Sequence, residues 1–343
     1  MVIDAHLHCT GREKSAEVLR SLDEAQIDIG VLLAPFLNDG YSLDDAASLR
    51  RANEHLAQLV RGHADRLVGF AVVDPRDPHA ADDLRHAVET LGLRGVKMVP
   101  TGWYPYDEKV QPVFAVASEL RLPVLFHSGI FIDGRSGRFC RPAFFEVMRD
   151  HPGARVALAH VGWPWTDEAI AVGLIDRIHG VPPDEAQFRL DISFGPPPPY
   201  RLEVLSRALE VLGPESLQFG SDCFLPCPGH EIAGRMRWVH ELFDELQLDA
   251  AARERIWSGT AAAWLRLPGA SPAADAPGRH ERIAEEATQG TGPPGTADIA
   301  LSTSFTSPDT PQAAARACRR AVVRPALRAG WLNGPRRMAP LCC

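Results

Sequence analysis

Short apolar runs recur along the chain, each followed by a stretch whose apolar residues fall three or four apart. The runs Val2–His8, Asp28–Pro35, Leu67–Asp74, Leu93–Val99, Pro123–His127, Arg155–Val161, Phe188–Ser193 and Leu217–Asp222 read as strands. Between the first two, "EKSAEVLRSLDEAQ" puts Ala16, Leu19, Leu22 and Ala25 on one helical face, and "DDAASLRRANEHLAQLVRGH" repeats the spacing further on. Strands alternating with helices predict a parallel sheet, and eight such units are the count of a (β/α)8 TIM barrel. A doubly wound sheet is the competing α/β architecture, but no Gly-rich phosphate loop follows the first strand. The barrel is the expectation for residues 1–267.

After Leu267 the periodicity stops. "PGASPAADAPG", "GTGPPGTAD" and "TSPDTPQAAARACRR" are rich in Pro, Gly, Ala and Thr, so residues 268–343 read as a low-complexity, disordered or weakly structured tail. From Arg316 on there are seven arginines and no acidic residue, which leaves the barrel more acidic than the total charge of −8 suggests. A solvated tail is the plain reading, and a basic clasp onto the acidic body is the sharper one.

An acidic balance argues against nucleic acid as a partner, and no apolar run is long enough to span a bilayer. The first residues lack the basic region of a signal peptide, and seven cysteines at irregular spacings fit a reducing compartment. The expectation is a cytoplasmic protein with a small-molecule substrate, self-association being compatible with the fold.

Chemistry enters at "MVIDAHLHC". In a strand, His6 and His8 share one face while Ala5 and Leu7 share the other. Two neighbouring buried imidazoles are costly unless something satisfies their nitrogens, and a metal ion would. Reactive side chains of a parallel barrel sit at the C-terminal ends of its strands. Those ends add Lys97 ("RGVKMVP"), His127 ("PVLFHSG"), His160 ("VALAHVGWP") and Asp222 ("QFGSDCF"). Imidazoles with a carboxylate suit a borderline divalent ion. Cys9, Cys223 and Cys227 lack a zinc spacing and read as small buried hydrophobes.

This arrangement resembles the amidohydrolase superfamily, and within it the aminocarboxymuconate-semialdehyde decarboxylase-like (amidohydrolase-2) subgroup. The motifs that carry the resemblance are "VIDAHLH", "RGVKMVP", "LPVLFHSG", "ALAHVGW", "DIS" and "FGSDCFLP". The closing "RERIWSGTAAAWLRL" also fits, with Thr260 where Asn is more usual, a change expected to affect helix capping rather than chemistry. The resemblance implies that His6, His8, His127 and Asp222 bind one divalent metal, most often Zn2+, with Mn2+ the alternative. His160 would act as general acid/base or polarise the substrate, and Asp222 would add proton transfer. Lys97 stands where binuclear members hold a carbamylated bridging lysine, a role unusual in this subgroup.

The first functional reading is a hydrolase in which metal-activated water attacks an amide or lactone of a small carboxylate-bearing substrate. The alternative is a non-oxidative decarboxylase of an aromatic or unsaturated carboxylic acid. A hydratase is a third enzymatic option, and a catalytically lapsed metal-binding barrel is the reading from another class. Substrate contacts are expected from Trp103, Tyr104, Arg135, Arg138 and Trp163 in the loops after the strands, since guanidinium pairs with carboxylate. "FGPPPPY" reads as a stiff loop after strand seven.

Overall fold

A computed structural model describes residues 1–267 apart from 39 and 194; the predicted tail, 268–343, lies outside the described residues. All eight predicted strands form, as β1 (Ile3–His8), β2 (Ile29–Leu33), β5 (Leu67–Val72), β6 (Gly95–Met98), β7 (Pro123–Phe126), β8 (Arg155–Leu158), β9 (Phe188–Asp191) and β10 (Leu217–Gln218). A two-stranded hairpin, β3 (Leu37–Asn38) with β4 (Tyr41–Ser42), and a short β11 (Cys223–Phe224) are additions. The main sheet is parallel, with ladder order β10-β9-β8-β7-β6-β5-β2-β1-β11. Its two end strands, β10 and β11, are consecutive in the chain. Between them the Ala5 N–H donates to the Phe219 carbonyl (3.0 Å) and the Asp222 N–H to the His6 carbonyl (2.9 Å). The sheet is therefore curled, with β1 also bonded to the chain just past β10. The predicted eighth strand, Leu217–Asp222, is cut short at Gln218, and Asp222 sits in the left-handed region (φ 57°), which separates it from the added β11.

The helices are α1 (Ser15–Ala25), α2 (Ala46–Val60), α3 (Ala80–Glu89), α4 (Gln111–Glu119), α5 (Thr166–Ile178), α6 (Pro198–Leu212), α7 (Gly229–Glu245), α8 (Ala250–Glu254) and α9 (Thr260–Leu265). Asp45 caps α2, its Oδ1 accepting the N–H groups of Ala47 and Ser48 and so satisfying donors the first turn leaves free. The proline-rich stretch is not all loop: Pro198 and Pro199 open α6, where a missing N–H has no consequence. Between β7 and β8 the crossover is made of 3-10 turns over Pro142–Asp150.

Two apolar layers result. The outer one lies between the sheet and helices such as α1, α2 and α7. The inner one takes Ile3, Ala5, Val31, Leu33, Val68, Phe70, Leu125 and Ala157 from the strands and Trp264 from α9, which plugs one end. The Trp264 indole N–H donates to the Arg155 carbonyl at 2.8 Å. Register slips between Asp4 and Leu7, three residues of β1 facing two of β2. This bulge corrects the simple alternation: Ala5 joins the inner layer while Leu7 joins the outer one, and the extra residue turns His6 and His8 inward above Ala5.

Candidate metal centre

Each site residue stands at or just beyond the C-terminal end of a strand. His8 ends β1, His127 follows β7, His160 follows β8, Asp191 ends β9 and Asp222 precedes β11. His6 Nε2 and His8 Nε2 approach to 3.1 Å, and Asp222 Oδ1 lies 3.0 Å from His8 Nε2 and 3.3 Å from His6 Nε2. His6 is fully buried and Asp222 is 1 % exposed. Among the described residues, these three form the group whose ligand atoms all fall within 4.8 Å of one another.

Neighbouring residues orient the ligands. The His6 Nδ1–H donates to Asp191 Oδ2 (2.9 Å), which leaves Nε2 as the lone-pair atom facing the cluster. Ser193 Oγ stands 3.3 Å from the same Nδ1 and 3.0 Å from His160 Nδ1, so one hydroxyl spans two imidazoles. Asp4 Oδ1 accepts the N–H groups of His6 (3.1 Å) and Ser221 (2.9 Å), tying the β1 bulge to the segment that carries Asp222. Sequence reasoning assigned no role to Asp191, Ser193 or Asp4. The signal for Asp191 and Ser193 was the period-two spacing of "DIS" at a strand end, the same device as His6-x-His8.

Backbone geometry at the site is unusual. His160 (φ 61°), Val161 (φ 50°) and Asp222 occupy left-handed conformations, each at about 1–3 kcal/mol, a cost that concentrates where side chains must be aimed. Gly220 is required because a Cβ there would fall 2.6 Å from the His6 Cβ.

Burial governs the protonation states. It pushes His6, His8 and His160 well below the usual imidazole range, and lowers His127 to about 3 with help from the Lys97 charge. The imidazoles are thus neutral, the form that binds metal. Lys97, 1 % exposed, is lowered to about 8 by burial, against the pull of Asp222 and Asp191. Its Nζ is 3.2 Å from His6 Nε2. Burial drives Asp222 far above the carboxylate range, against the opposing charge of Lys97.

The donor set fits a divalent ion. Asp222 Oδ2 is buried without a hydrogen-bond partner among the described residues. Leaving such an atom unsatisfied costs about 1–3 kcal/mol, which a cation beside two imidazole lone pairs would offset. His127 stands outside this group. Its Nε2–H donates to the Ile130 carbonyl (2.8 Å), and its ring is 5.0 Å from that of His160.

The substrate-contact candidates separate. Trp103 is 2 % exposed and packs on Phe114 in the outer layer, so it is a core residue rather than a mouth residue. Tyr104 stacks on Tyr106, Arg138 covers the Phe139 ring, and Trp163 lies 6.1 Å from Tyr200. Arg135 lines an open cleft of about 910 Å³ with Phe36, Tyr41, Thr101 and Phe131. Phe36 and Phe131, two of its walls, also pack on the rings of His8 and His127. Cys9, Cys140, Cys223 and Cys227 are free and buried.

The Amidohydrolase (Amidohydro_2) family model matches residues 3–267, the extent of the curled sheet and its helices. Gamma-resorcylate decarboxylase of Rhodococcus jostii (strain RHA1) is 26 % identical over 297 residues, covering 73 % of this chain and 86 % of that enzyme. L-fucono-1,5-lactonase of Burkholderia multivorans (strain ATCC 17616 / 249) is 40 % identical over 70 residues, 19 % of this chain, and the match spans only 22 % of the lactonase. Among solved structures, a dihydroxybenzoic acid decarboxylase from Polaromonas sp. JS666, with bound manganese and the inhibitor 2-nitroresorcinol, superposes with a TM-score of 0.55. It is 18 % identical, with 78 % of this chain and 97 % of that one covered.

Proposed function

We propose, starting from the fact that the chain belongs to the amidohydrolase family, that it is a metal-dependent, non-oxidative decarboxylase of a small aromatic carboxylic acid, built on a closed (β/α)8 barrel. Family membership makes it an enzyme of the hydrolase or decarboxylase type. The observation that carries the choice is the cleft walled by Phe36, Tyr41 and Phe131, with Arg135 on its edge, whose phenylalanines pack on His8 and His127 beside the buried cluster of His6, His8 and Asp222. Aromatic walls suit a ring, and a guanidinium suits its carboxylate. The decarboxylase relative, matched along most of its length, supports this over the hydrolase reading that stood first on sequence.

His6, His8 and Asp222 would hold the ion, and His127, expected from the sequence as a fourth ligand, would have to release the Ile130 carbonyl or bind through its other ring nitrogen to join them. A bound divalent ion supplies positive charge that fixes the substrate carboxylate and its neighbouring oxygen. The manganese of the Polaromonas enzyme supports Mn2+ beside Zn2+ as the candidate. Asp191 holds the His6 ring, and Ser193 holds His160 in register with it. Replacing the carboxylate by hydrogen needs one proton at the vacated carbon. His160, held by Ser193 with its ring 5.4 Å from that of His6, would deliver it. Lys97 adds a buried positive charge beside the substrate oxygens.

The test is product analysis with the metal-loaded full chain and hydroxylated benzoates in D2O. Carbon dioxide release with one deuterium at the vacated ring position is expected. Opening of lactones or amides without carbon dioxide would return the site to the hydrolase reading.

A further inference from the structure

The opposite end of the sheet, where Trp264 plugs it, holds a second set of buried, unsatisfied polar groups, apart from the metal centre. Arg155 opens β8 and Arg189 is the second residue of β9. Arg155 is 7 % exposed and Arg189 1 % exposed, yet Nε and Nη1 of both lack any hydrogen-bond partner among the described residues. One anchor exists: Arg189 Nη2 donates to the Ala186 carbonyl at 2.9 Å. Neither arginine forms an ion pair with any described residue.

A buried guanidinium cannot shed its proton as a lysine can, so burial without a counter-charge is strongly unfavourable. Burial lowers Arg155 to about 9, with the nearby charges of Arg266, Arg189 and Arg94 adding to the effect. Arg155 also lines an open pocket whose mouth carries two exposed arginines, Arg121 and Arg266. Of the two acids on that pocket, Asp184 is already paired with Arg255 at 2.6 Å, and Glu185 is exposed at the edge. Three guanidinium groups therefore converge where no free buried carboxylate answers them.

We propose that this pocket is a binding site for a small oxyanion, a phosphate or carboxylate group, held by Arg155 from within and by Arg121 and Arg266 at the mouth. Guanidinium forks bind such groups in paired, charge-assisted hydrogen bonds. The site is separate from the metal centre, at the end of the sheet where residues open the strands rather than close them.

The experiment is thermal unfolding of the full-length chain in inorganic phosphate, in acetate, and in chloride of matched ionic strength. Phosphate or acetate is expected to raise the midpoint beyond chloride, by roughly 5–10 °C at a hundred times Kd. A response to phosphate alone assigns a phosphate ligand, and a comparable response to acetate assigns a carboxylate. Asp222→Asn, which removes the metal centre as a competing anion site, should respond like the wild type. Arg155→Met should abolish the response, and Arg266→Gln, at an exposed position that does not threaten folding, should weaken it several-fold. No rise beyond chloride with either anion, or an undiminished rise in Arg266→Gln, would overturn the proposal.

Discussion

The two ends of the curled sheet lack opposite things. All buried side-chain polar atoms without partners among the described residues belong to five side chains. Two are acids, Asp4 and Asp222, beside the histidines. Two more, Arg155 and Arg189, lie near the starts of β8 and β9, and Gln218 ends β10 in register with Asp191. A third group shows what a completed arrangement looks like. Glu13, 3 % exposed in the loop after β1, accepts the N–H groups of Thr10 (3.1 Å), Gly11 (3.3 Å) and Arg12 (3.1 Å) and pairs with His55 (3.1 Å). Burial alone would push Glu13 up, but the His55 bond and these backbone donors outweigh it and bring it down to about 2. Asp222, with one oxygen unanswered, goes the other way. Burial does not distinguish a structural carboxylate from a functional one; the count of donors around it does.

The sharpest way to break this contrast is Asp222→Asn. In the metal-loaded protein it should remove most of the bound metal, read by elemental analysis. It should also lower kcat/KM by about 10³-fold or more, equivalent to ~4 kcal/mol of transition-state stabilisation. In the metal-free protein the same change should raise the melting temperature, because it replaces a buried carboxyl whose Oδ2 has no hydrogen-bond partner among the described residues. A metal-free variant that melts below the metal-free wild type would mean Asp222 is structural, like Glu13.

A smaller effect is expected one residue further out. Asp191→Asn keeps the shape beside His6 Nδ1 but weakens its hold on the tautomer. Metal affinity should fall about 10–100-fold, measured by competition with a chelator, while the far-ultraviolet spectrum stays unchanged. An affinity equal to wild type would remove Asp191 from the metal centre.

Glu13→Gln sharpens the comparison from the satisfied side. The folded-state value near 2 lies below the unfolded carboxylate, so the stabilisation is complete above the unfolded pKa, about 4.3. It is lost as pH falls through 4 toward 2. The variant should be less stable than wild type by roughly 2 kcal/mol at pH 7, and the two denaturation curves should converge near pH 2. A gap that persists to pH 2 would assign the loss to packing instead of charge.

Much of this was legible in the sequence, and particular residues show why. His6 and His8 could be paired because a strand repeats every two residues, and His127, His160 and Asp222 could be placed because each ends an apolar run. Trp103 misled: "TGWYPYD" looks like a substrate loop, and only packing shows its indole against Phe114. The β1 bulge was invisible, since an extra residue in a ladder leaves no mark in a pattern of alternation. Arg155 and Arg189 look like ordinary strand residues in "ARVALAH" and "FRLD", and His55 like a surface histidine.

The sequence by itself determined the elements and which residues end them, because strand and helix periods, turns and prolines act over a few neighbouring positions. Tertiary structure alone decided which of those residues meet. Curling the sheet brings positions 6, 8, 191 and 222 to one cluster and turns Arg155 and Arg189 inward at the other end. Closure distances and register depend on contacts between segments up to 200 residues apart, and no local pattern encodes them.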